Sequence, residues 1–154
     1  MKKHLEKQST FNLGLKFLAL LAKWKVTETL IPFFTTLLAE INLKLNKPNI
    51  SENIEELANS WLKVMPPDGQ HHFKKIKITD DIAYMEIHLN YPLRNSGNMT
   101  ACNNFMNYDR SILKSIGGSL TVLESQANSG KNYCSVAIKR LNDTSGDLIQ
   151  DQAK

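Results

Sequence analysis

The sequence predicts an α+β domain in which N-terminal helices pack with a four-stranded, mainly antiparallel sheet and a further helix, in the order α-α-α-β-β-α-β-β. Three observations carry this. Apolar residues recur at helical three-and-four spacing as far as Met65. After Pro66-Pro67-Asp68-Gly69 the period changes to two. The glycine pair Gly117-Gly118 then separates a last helical pattern from two final strands. At 154 residues and 42% hydrophobic content the chain has the size and core of one domain. We place it over residues 1–141, with 142–154 as a flexible tail because "NDTSGDLIQDQAK" has no apolar period.

In the first helix Leu13, Phe17, Leu20, Leu21 and Trp24 share one face, with Lys16 and Lys23 off it. A second helix begins near Thr27 and runs through "LIPFFTTLLAEINLKL", with Pro32 near its first turn, where a missing N–H costs least. Pro48 ends it, because proline disfavours helix in the residue before it. Ser51 is the expected cap of a third helix, "ENIEELANSWLKVM", which buries Ile54, Leu57, Trp61 and Leu62. Its three glutamates sit near the positive end of the dipole. "HHFKKIKIT" and "IAYMEIHLN" then form a hairpin around Asp80-Asp81. The loop "YPLRNSGN" leads into a fourth helix, "MTACNNFMNYDRSILKSI", and the last two strands, near 119–125 and 132–139, flank "QANSGKN".

Charge and cysteine content limit the partners. The formal net charge is +4, but arginine occurs only three times, and a nucleic-acid binder is usually more basic and richer in arginine. We therefore expect no nucleic-acid partner. Two cysteines make no disulfide scaffold, which points to a reducing, cytoplasmic setting. Lys16 interrupts the N-terminal apolar run, against a secretory signal, and no run is long enough to span a bilayer. The first helix is amphipathic with lysines at both ends, a pattern that also suits a membrane surface. Packing on the second helix, or on a second copy in a homodimer formed through the N-terminal helices, is the simpler account.

Several residues are candidates for chemistry. Cys102, Phe105, Asp109, Ile112 and Ile116 form one stripe on the fourth helix, which places a carboxylate among apolar neighbours. Such a carboxylate must be paired, hydrogen-bonded or protonated, and its partner is expected from the sheet, from Arg94 or from a ligand. Asp109 is thus either a structural ion pair or a general acid or base. Cys134 alternates with Val136 and Ile138 and should face the core with Cys102; packing, pocket lining and reactive thiol are its three readings. Glu124 follows Leu120 and Val122 on its face, and either caps the turn or reaches a pocket mouth. Arg94 offers a planar fork for a carboxylate just before a helix N-terminus, where Asn98 or Thr100 can also cap. Tyr84, Glu86 and His88 read as the solvent face of a strand. No spacing supports a metal site, and nothing names a cofactor.

From Cys102 onward the order is helix, glycine pair, a strand with a late Glu124, a glycine turn, and Gly130 four residues before Cys134. This resembles the 4-vinyl reductase-type small-molecule-binding domain and, as closely, the aminothiazoline carboxylate hydrolase family, over Thr100–Lys139. Where the first pattern carries a further cysteine this chain has Ala127, and where the second has Cys-Pro it has Tyr91-Pro92. The resemblance implies a small, partly apolar carboxylate or heterocycle held between the fourth helix and the sheet. Arg94, Cys102, Phe105, Asp109, Glu124 and Cys134 would line that site. If the chain is an enzyme, the resemblance implies a hydrolase opening a thiazoline-like ring, with Asp109 or Glu124 moving protons.

Overall fold

The computed structural model describes residues 29–65 and 70–143, together with Leu20. Within them the predicted α+β architecture holds. The elements are α1 (Ile31–Asn46), α2 (Ile54–Val64), β1 (Phe73–Ile78), β2 (Ile82–Ile87), α3 (Met99–Phe105), α4 (Asn107–Ser115), β3 (Gly118–Glu124) and β4 (Cys134–Arg140). The expected first helix and the tail beyond Asp143 lie outside the described residues, Leu20 excepted.

All three strand pairings are antiparallel, in the order β1-β2-β4-β3. One face is apolar because the period-two residues stack across the strands. Met85 and Val122 both lie opposite Val136, Ala83 and Leu120 both lie opposite Ile138, and Ile87 lies opposite Cys134. Helix α2 covers this face over β1, β2 and β4, and α4 covers β3. Trp61, fully buried, meets Phe73 edge-on at 5.2 Å. Burying a large side chain contributes roughly 1.5–3 kcal/mol, so this shared layer dominates stability. Helix α1 forms an outer layer on α3 and α4 through Ile31, Thr35 and Ala39. Asn42 fixes its far end, donating to the Val64 carbonyl at 3.0 Å and to the Tyr108 hydroxyl.

Local chemistry departs from the reading in three places. Ser51 does not cap α2; the Asn53 side chain does, accepting from Glu56 N–H at 2.9 Å, while Glu56 accepts from Glu52 N–H. Ser51 is instead buried against Ser60. The predicted fourth helix is broken at Met106 into α3 and α4. The break is tolerated because freed carbonyls find donors: Arg110 Nη1 reaches Asn103 O at 3.0 Å, and the Thr35 hydroxyl lies 3.3 Å from Asn104 O. Third, β3 carries a bulge between Val122 and Glu124.

The glycine pair acts as expected, with separate roles. Gly117 turns the chain at φ +91°, in the left-handed region. Gly118 lies beneath α2, where an added Cβ would come within 2.7 Å of a Leu57 methyl.

Candidate functional site

The bulge decides which residues reach the inner layer. Val122 opposes Val136, but Glu124 opposes Ser135, so Leu123 is the extra residue and the alternation slips by one. Opposed residues share a face. Glu124 therefore lies on the outer face with Ser135 and Glu86, where it pairs with Lys131 across the turn. The expectation that Glu124 travels with Leu120 and Val122 to the core is corrected here: it ends β3 facing outward and, of its two expected places, stands at the turn and not at a pocket mouth. Its inward place passes to Ser125, which is fully buried.

Four segments meet at this end of the sheet: the exit of β2, the loop 88–98, α3, and the β3–β4 turn. Cys102 Sγ and Ser125 Oγ share a hydrogen bond at 3.0 Å, and Ser125 Oγ also accepts from Ala127 N–H at 3.1 Å. Cys134, on the apolar face as expected, receives the Gln126 N–H at 3.4 Å. Burial pushes its thiol up to about 11, so at neutral pH it is a protonated, inert side chain.

Gln126 is the hub. Its Nε2 donates to the carbonyls of Ile87 and Leu89, both at 3.2 Å, and its Oε1 accepts from Arg94 Nε at 2.9 Å. Its own carbonyl accepts from Asn95 N–H at 3.0 Å. A fully buried amide with these partners welds the loop to the sheet. Arg94 also reaches Asn132 O at 3.3 Å and, at 3.5 Å, Leu89 O. Among the described residues no carboxylate pairs with its guanidinium. Asn98, not a ligand, caps α3 by accepting from Ala101 N–H at 3.0 Å.

Tyr91 stands beside this hub. Its ring meets Phe105 edge-on at 5.7 Å, within the small cluster of Ile31, Leu93, Ala101 and Phe105. Its hydroxyl is buried and has no hydrogen-bond partner among the described residues. Burial, and then the neighbouring Cys102, hold its ionisation well above the ordinary phenol value. The Cys102 thiol is near enough to act on the phenol, but sulfur is a weak acceptor and does not replace an oxygen or nitrogen partner. An orphaned buried hydroxyl costs about 1–3 kcal/mol, so its place here asks for an explanation.

Asp109 lies deeper. Its partner is neither the sheet nor Arg94, as expected, but Trp61, whose Nε1 donates to Oδ1 at 3.2 Å. Burial raises its carboxyl to about 6, with the Trp61 bond opposing the shift. Asp109 is close enough to Tyr91 to add to the rise in the phenol.

Of the expected set, then, Arg94, Cys102, Phe105 and Cys134 converge, Asp109 backs them, and Glu124 stands apart. Tyr91, Ser125 and Gln126 were missed as site residues. The middle of the layer between α4 and the sheet is filled by Ile112, Leu113, Ile116, Val122, Val136 and Ile138 in one core. On the outer face His88 bonds Glu86 at 2.8 Å and stacks on Tyr133 at 5.1 Å. Among the described residues, no three of His, Cys, Asp and Glu converge as a metal-ligand set, and no helix is long and apolar enough to cross a membrane. No family model, curated protein or solved structure matches the chain.

Proposed function

We propose that the domain binds a small, partly apolar carboxylate or heterocycle at the end of the helix–sheet layer, among the loop 88–98, α3 and the β3–β4 turn. The observation that carries this reading is the Tyr91 hydroxyl, buried and without a hydrogen-bond partner among the described residues, in the same loop as Arg94, whose guanidinium pairs with no described carboxylate. A ligand acceptor on Tyr91 and an anion on Arg94 would complete both, while Phe105 and Leu93 supply apolar contact. Gln126 already holds the Arg94 guanidinium for such a ligand. A thermal-shift screen of aromatic and heterocyclic carboxylic acids tests it. Stabilisation by such acids, diminished in Arg94→Gln, supports the reading; no shift from any of them removes it.

A second reading, a hydrolase opening a thiazoline-like ring, is favoured by the Asp109 carboxyl at about 6, a value suited to proton transfer near neutrality. Asp109 would move the proton and Arg94 would hold the carboxylate. Ring opening of an aminothiazoline carboxylate, abolished in Asp109→Asn, is the expected result; absence of turnover at high enzyme concentration refutes it.

A further inference from the structure

Helix α1 turns an apolar stripe outward. Phe33, Phe34, Leu37, Leu38, Ile41 and Leu45 are all exposed, Phe33 by 65% and Leu45 by 78%. Together they present roughly 600 Å² of apolar surface, at the upper end of the largest patch on an ordinary monomer. Nothing in the core needs them there, since α1 packs inward through Ile31, Thr35 and Ala39.

We infer that this face is a homodimer interface, occupied by α1 of a second copy. The first argument is area. Two copies meeting through the stripe would bury about 1,200 Å² in all, within the range of specific interfaces. The second is spacing. Phe33, Leu37, Ile41 and Leu45 form a single ridge of residues four apart, and two such ridges pack at about −50°. With a two-fold axis beside the middle of the helix, Phe33 meets Leu45 of the second copy and Leu37 meets its Ile41. The stripe is therefore complementary to itself, as an isologous interface requires.

Charge argues against a lipid occupant. A helix lying on an anionic bilayer carries Lys or Arg along its polar margin, whereas the exposed charges within α1 are Glu40 and Lys44, one of each sign.

The test uses the full chain. Sedimentation velocity should show a dimer, and Leu37→Glu should raise its dissociation constant at least about tenfold while leaving the far-UV circular dichroism of the folded chain unchanged. Register is tested by mixing Phe33→Cys with Leu45→Cys chains and oxidising with copper–phenanthroline. Mixed disulfide dimers should form faster than either variant cross-links with itself. Both positions are exposed, so these variants keep the fold and decide the matter even if Leu37→Glu does not. A wild-type monomer, whether or not it sediments with anionic vesicles or its Leu37→Cys variant resists alkylation, or a dimer indifferent to both tests, would overturn the inference.

Discussion

The thiol of Cys102 on α3 and the hydroxyl of Ser125 just past β3 are joined by a 3.0 Å hydrogen bond. That bond exists because the bulge at Leu123 turns Ser125 inward and Glu124 outward. Since Ser125 also accepts the Ala127 N–H, Ser125→Ala leaves a buried amide without its acceptor. A loss of about 1–2 kcal/mol is expected by urea denaturation. Cys134→Ala should cost about 1 kcal/mol through packing, and Cys134 should resist alkylation at neutral pH until the protein unfolds.

Glu124→Gln should do little. Its partner Lys131 is 40% exposed and Glu124 itself 44%, so the pair is screened by water. A change within about 0.5 kcal/mol is expected. Because Glu124 lies on the outer face, the affinity for any acid that binds beside Tyr91 should be unaltered in titration calorimetry.

Asp109 makes stability depend on pH in an unusual direction. Its folded value of about 6 lies above the ordinary 3.8, so the folded state holds the proton more tightly than the unfolded one. This contribution, up to about 3 kcal/mol, is fully present below pH ~4 and is lost as pH rises through 6. Asp109→Asn keeps an acceptor for Trp61 Nε1 and removes the titration. Chemical denaturation from pH 4 to 7 should show the downward slope in the wild type and its absence in the variant.

The fold was legible because its signals are periodic. Leu57, Trp61 and Met85 declare their faces by spacing alone, and Pro32 and Gly117 mark where elements start and stop. The site was legible only in part. "ESQANSG" has the composition of a solvated turn, yet Ser125, Gln126 and Ala127 are all buried. Their burial follows from a one-residue bulge set by pairing with β4, and a strict period of two cannot show it. The break at Met106 is similarly hidden, since it depends on Thr35 and Arg110 reaching carbonyls in space. Asp109 was recognised as anomalous, but its partner Trp61 is 48 residues away and belongs by spacing to another buried stripe.

The central claim is that Tyr91 holds its hydroxyl ready for a ligand, and Tyr91→Phe tests it most directly. Removing an unpartnered buried hydroxyl from the empty protein should leave the stability unchanged or raise it by up to about 1 kcal/mol. The same substitution should reduce the thermal shift given by the acids that stabilise the wild type. A Tyr91→Phe protein that is destabilised by about 1 kcal/mol or more, and that keeps its full response to those acids, would show the hydroxyl to be a structural hydrogen-bonding group and would contradict the account.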